Sequence, residues 1–229
     1  MAAPLLDSYG EDGLPVGDDQ QRDKAAARAT RMVVLIPLIS RAIGFGIAFA
    51  IYKLGSTETY DASAKAAFDT DGKGTGAYVF FSAVLFSLLT FWLNFYPMIP
   101  KARVMLGNKG IRPNMYIFKT NNPSGPKSPC VILEDEGDAG KYNRANRSMH
   151  HFAEYASGTV FTAICASFVF PFPVFILLII MCVGRILHQV SYSNGGYGAH
   201  AKGFMLFMVS YVTMEMLTLI AGVRHLTLH

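Results

Sequence analysis

Five stretches of this chain are apolar for about twenty residues or more, the length an α-helix needs to cross a hydrocarbon core of about 30 Å. They lie at about 32–54, 77–99, 146–170, 174–193 and 203–223. None alternates with a period of two, so each reads as a helix and the chain as an all-α membrane protein. Composition agrees. Hydrophobic residues make up 52% of the 229 positions and charged residues only 16%, against about a quarter in soluble domains.

The connections sort the helices. A polar tail occupies 1–31. Its acidic early part and late Arg22, Lys24, Arg28 and Arg31 reverse the order of a secretory signal. Residues 32–54 form one membrane helix, interrupted by Pro37 and Arg41. Gly44, Gly46, Ala48 and Ala50 give it small-residue spacing, which predicts close packing on another helix. Pro171-Phe172-Pro173 makes a tight turn, so the third and fourth stretches form an antiparallel hairpin. The 101–143 loop is long, basic at first, Pro/Ser/Gly-rich at 121–129 and then acidic.

Lys101, Arg103, Lys109, Arg112, Lys119, Lys127, Lys141, Arg144 and Arg147 crowd that loop and the turn after it, whereas 55–76 holds only Lys65 and Lys73. The positive-inside rule places the N-terminus and the 101–143 loop on the cytosolic side or its organellar equivalent. The net charge of +4 is spent on these membrane flanks and gives no reason to expect nucleic acid. Cys130, Cys165 and Cys182 are odd in number and lack a CxxC, and two lie in apolar spans, which argues against a disulfide framework or zinc site and for buried, inert thiols.

Chemistry enters at the third stretch. Arg144, Arg147, His151 and Glu154 recur at helical spacing on one face, and ionisable groups at the edge of lipid face a protein interior or a watery site. Arg144 and Arg147 suit carboxylates, and Glu154 suits an ammonium. Basic anchoring at the span end is the topological alternative for the arginines. The fourth stretch carries Arg185, His188 and Tyr192. Arg185 falls inside an apolar run and calls for a partner within the bundle, with Glu154 and Glu215 as candidates. Tyr192-Ser193-Asn194-Gly195-Gly196-Tyr197 adds hydroxyl donors at the helix end. No metal is expected: His150, His151, Glu154, His188 and Glu215 lack the paired Glu-x-x-His repeat of a di-metal bundle. Asp69-Thr70-Asp71-Gly72-Lys73-Gly74 starts like a calcium loop but has lysine at position five and Phe80 at position twelve, so it reads as a turn.

These motifs resemble the MAPEG family, the membrane-associated proteins of eicosanoid and glutathione metabolism. The resemblance covers about 77–223 and rests on Arg144-Ala145, on Glu154-Tyr155, on Gly184-Arg185-x-x-His188 with Tyr192, on the proline break, and on Lys101-Ala102-Arg103. It implies a four-helix membrane bundle, here with one extra N-terminal transmembrane helix, assembled as a homotrimer with glutathione held between neighbours. Carried over residue by residue, it puts Arg144, Arg147, Glu154 and Tyr155 on the tripeptide. Arg185 and Tyr192 complete the pocket beside His188, and Arg103 reaches in from the adjacent subunit. Tyr192 or Tyr197, helped by Lys202, would activate the thiol toward a lipophilic electrophile or lipid hydroperoxide.

Two departures stand out. His151 replaces the family's asparagine, and the arginine that activates the thiol near the last helix has no match, with His200 and Lys202 there instead. The extra helix and this missing arginine point to a second reading: a weakly active or inactive structural subunit, present in single copy in a larger respiratory or photosynthetic membrane complex. Either reading fits the endoplasmic reticulum or a mitochondrial or plastid membrane.

Overall fold

A computed structural model of the chain describes residues 14–68, 72–106, 115–121 and 130–228. Residues 1–13, Asp69-Thr70-Asp71 of the calcium-like turn and most of the 121–129 stretch lie outside it. Seven helices and one hairpin are described: α1 Asp19–Leu54, α2 Thr57–Ala66, α3 Ala77–Phe95, α4 Met98–Met105, β1 Phe118–Asn121, β2 Cys130–Leu133, α5 Gly137–Ser167, α6 Pro171–Gly195 and α7 Ala201–Leu228. All three cysteines are free.

Four helical segments are long and apolar enough to cross a membrane: α1, the continuous Ala77–Met105 stretch of α3 and α4, α6 and α7. α5 is the difference from expectation. It is one unbroken helix of 31 residues, but its first half is too polar to meet that measure. It is long enough, and its polar residues are covered by protein: Tyr142, Asn143, Asn146 and Ser148 are buried. The core joins α3, α5, α6 and α7 through Leu93, Phe152, Leu178, Met181, Phe207 and Met214.

The helix ends follow local chemistry. Pro171 opens α6, where its missing N–H costs no helical bond. Gly196, with φ of 73°, closes it in a conformation that suits glycine. α6 and α7 touch backbone to backbone. A Cβ at Gly184 would come within 2.7 Å of Phe207 N and 2.9 Å of Gly203 O.

α1 differs from the reading in three ways. It begins at Asp19, not at 32, because Asp18 caps it by accepting from Gln21 N at 2.7 Å. It runs through Pro37 as one helix. Its small-residue face is open to another chain rather than packed within this one: a Cβ at Gly44 or Gly46 would meet none of the described residues. Its polar anchors lie in the N-terminal third, and farther along it touches α3 through the stretch from Val33 to Arg41, where Arg41 lies over the Phe91 ring at 4.5 Å. In the N-terminal third Arg22 Nη1 donates to Arg103 O at 3.0 Å, and Asp23 pairs with Arg103.

The hairpin is an addition that the sequence pattern did not announce. β1 and β2 pair antiparallel, Phe118 opposite Leu133 and Asn121 opposite Cys130. The buried Asn143 of α5 ties down its base. Its Oδ1 accepts from Ile117 N at 2.9 Å, and its Nδ2 donates to Ile117 O and Glu134 O at 2.7 and 2.6 Å.

Candidate functional site

α5, α6 and the start of α7 enclose a cleft of about 300 Å³ at the end of the bundle where α6 gives way to α7. α5 supplies Arg147, Ser148 and His151, α6 supplies His188 and Tyr192, and the following loop supplies Tyr197. His200 and Phe204 close it at the first turn of α7. The tight Gly184–Gly203 contact sets how closely these walls approach.

The interior is ordered by Arg185, which has no exposed surface. Neither Glu154 nor Glu215 pairs with it, contrary to the expectation from charge alone. Its Nη2 donates to Ser148 O at 2.8 Å, and its Nη1 donates to His151 Nδ1 at 3.2 Å. The guanidinium also lies over Phe207 at 4.8 Å and Phe152 at 5.3 Å. The physical reason is geometric. A guanidinium is flat, so ring faces can cover its plane while carbonyl and imidazole acceptors take its edge. Because arginine only donates, His151 Nδ1 must accept, which leaves the His151 proton on Nε2.

Imidazole and phenol rings then form a chain along the cleft. His188 Nδ1 and Ser148 Oγ are hydrogen-bonded at 2.9 Å. His151 stacks on His188 at 5.7 Å, and His200 stands edge-on to His188 at 5.0 Å. Tyr192 and Tyr197 lie 5.1 and 5.5 Å from His200. His200 Nδ1 is buried with no hydrogen-bond partner among the described residues.

Of the residues singled out from sequence, Arg147, His151, His188, Tyr192 and Tyr197 are brought together at the cleft, with Arg185 directly behind. The others are placed elsewhere. Arg144 Nε donates to Tyr192 O and Ser193 O, each at 3.1 Å, and so caps the end of α6. Arg103 is held between Asp23 of α1 and Asp138 of α5, the latter at 2.9 Å. Tyr155 packs edge-on against Phe207 and Tyr211 at 5.3 and 5.5 Å. Glu154 is exposed on the outer face of α5 and forms no ion pair among the described residues. Lys202 is exposed on the first turn of α7, outside the cleft lining.

Sequence reading passed over Ser148 and Phe204. Ser148 was legible as the residue three before His151 and four after Arg144 on the same polar helix end. Phe204 carried no signal beyond apolarity. His150, weighed as a metal ligand, bonds Tyr116 OH at 2.7 Å through Nδ1, and among the described residues no three His, Cys, Asp or Glu groups converge for a metal.

Arg147 is exposed above the cleft and forms no hydrogen bond or ion pair among the described residues. A cation in reach of hydroxyl and imidazole donors, beside the positive end of α7, is suited to an anion. No curated protein and no solved structure matches the chain. A family model does: the one described as MAPEG family covers residues 79–223, from the first turn of α3 to the last turns of α7, and includes every residue of the cleft. The chain is therefore a member of the MAPEG family, with α1 and α2 lying before the family domain.

Proposed function

We propose that this membrane protein holds glutathione in the α5–α6–α7 cleft and directs its thiol at a lipophilic electrophile or lipid hydroperoxide. The observation that carries this is the unengaged guanidinium of Arg147 over a cleft walled by Tyr192, Tyr197 and His200. A forked guanidinium matches a peptide carboxylate. Glu154, exposed farther along α5, is a counter-charge for an ammonium. The sulfur would lie by the tyrosine hydroxyls. A hydroxyl or imidazole N–H donating to the thiolate lowers the thiol pKa, and the N-terminus of α7 acts in the same sense. Together these offer what the missing arginine would supply. Arg185 acts from behind, holding the His151 ring and the Ser148 backbone in place.

The cleft is at the small end for a ligand site. In this reading a neighbouring subunit of a homotrimer covers the rest of the tripeptide, and the acceptor enters from the bilayer.

Calorimetry on the detergent-purified protein, with glutathione and with its thiol-free analogue ophthalmic acid, tests the reading. Both ligands are expected to bind saturably to the natural protein and neither to Arg147→Ala. Binding that survives in Arg147→Ala would overturn the assignment of that residue. Absence of binding to the folded natural protein would overturn the glutathione reading.

One observation favours a structural subunit instead. Arg103, which the family resemblance assigns to a neighbour's tripeptide, is engaged by Asp23 and Asp138, and α1 presents a long uncovered apolar surface. In that reading α1 meets unrelated chains of a larger membrane complex, and the protein is present in single copy.

A further inference from the structure

We infer that the seam between α1 and the α3–α4 helix is a binding site for an anionic phospholipid, independent of the cleft and of any glutathione chemistry. Two cavities follow one another along this seam. The first, of about 560 Å³, lies between α1 and α4 and is walled by Lys24, Arg28 and Lys101. The second, of about 280 Å³, lies deeper between α1 and α3 and is walled by Val33, Val34, Leu38, Leu88 and Phe95. They adjoin at the consecutive residues Met32 and Val33 of α1.

The charge pattern selects the ligand. Lys24, Arg28 and Lys101 form no ion pair among the described residues, and Lys101 is half-buried. Asp23, the acid next to Lys24 in sequence, is already committed to Arg103. Three uncompensated cations at one edge of the membrane draw phosphate, and each adds to the attraction for anionic lipid. The deeper groove, of about 280 Å³, has far less room than a helix of about 10–12 Å diameter needs and suits one hydrocarbon chain. Trp92 forms part of the groove wall, and its indole N–H is buried with no acceptor among the described residues. Arg41, at the deep end, is already satisfied by Pro37 O at 3.2 Å and by the Phe91 ring at 4.5 Å, so it is no part of the headgroup site.

Trp92 is the chain's single tryptophan, which makes the test direct. The full chain is reconstituted in phosphatidylcholine vesicles containing increasing fractions of dibrominated phosphatidylglycerol or dibrominated phosphatidylcholine. Bromine on a seated chain quenches Trp92. The expected result is half-quenching at about tenfold lower mole fraction for phosphatidylglycerol, a preference that three cations readily supply. Substituting Lys24→Gln, Arg28→Gln and Lys101→Gln together should merge the two curves. Val34→Phe fills the groove without touching charge and should weaken quenching by both lipids. Equal quenching of the unaltered protein would overturn the inference, as would a preference that survives the triple substitution. Weak and equal quenching, the result expected if a partner helix or a second copy of the chain fills the seam, would overturn it too.

Discussion

Arg185 illustrates how a single side chain can defeat a charge-matching argument. Its position was legible: an arginine in an apolar run must be satisfied inside the protein. Its partners were not, because ring faces and a backbone carbonyl leave no charge signature in sequence. Arg185→Ala removes the filling between Phe152 and Phe207 and should destabilise the bundle by about 2–5 kcal/mol. Arg185→Met keeps most of the volume without the buried charge and should fall within about 1.5 kcal/mol of the natural protein in the same unfolding titration. Asn143 carries a comparable structural load on the loop side. Asn143→Ala takes the partner from Ile117 N and Glu134 O, leaves Ile117 O with the Glu134 N–H alone, and should cost about 1–3 kcal/mol, seen as lost amide protection in the hairpin. The hairpin also has a defined acid response. Burial alone would raise the Glu134 carboxyl, but the Glu136 N–H, the Lys119 ammonium and the Asp135 N–H outweigh it and hold it below its ordinary value. Lys119 is held above its own, chiefly by its bond to Glu134. The contribution of the pair is thus complete at neutral pH. It is lost as pH falls through the lowered Glu134 value or rises through the raised Lys119 value. The protection factor of the Ile117 amide, followed from neutral to strongly acidic pH, should therefore decline only at the acid end.

Among the elements, the long helices were legible because apolar length alone prescribes them, whereas α2 and the hairpin were not. α2 is a short helix with no buried residue, and β1 and β2 are four residues each, so their apolar patterns are too brief to register. The hairpin depends on Asn143, which is distant in sequence from Ile117. The helical part of the candidate site was readable for a similar reason. Arg147, His151, His188 and Tyr192 repeat at helical spacing on two helices. His200 and Phe204 join them only because α7 packs against α6 at two glycines. That crossing is the element most open to challenge. Gly203→Ala would drive a methyl into His188 N and Gly184 O, at a cost of about 1–3 kcal/mol. Because it also pushes His200 and Phe204 away from His188, ligand affinity at the cleft should fall in the same variant. Titration calorimetry run beside thermal unfolding reads both effects.

At the scale of the whole molecule, α1 is an appendage held at one end. Of its residues only Val33 is buried; the Arg103 knot fixes its N-terminal third, Arg41 rests on Phe91 of α3, and the apolar stretch beyond Arg41 faces outward. Removing residues 1–56 should therefore leave the α3–α7 bundle folded, with a thermal midpoint close to that of the full chain. If α1 is the attachment to a larger complex, the truncated protein should migrate alone in native gels, and continued co-migration would argue against attachment through α1. The polarity of α5 has a different consequence, one for how the protein is made. A helix whose first half carries Asp138, Lys141, Arg144 and Arg147 is a poor candidate for recognition as a span by the insertion machinery. α6, joined to it by a three-residue turn and far more apolar, is a good one. The two should enter the bilayer as a hairpin, with α5 drawn in by the segment synthesised after it. In a glycosylation-reporter assay α5 alone should fail to integrate, and α5 followed by α6 should integrate as a pair. The protein thus gains its polar cleft wall inside the membrane only because that wall is delivered by a neighbour that the membrane accepts.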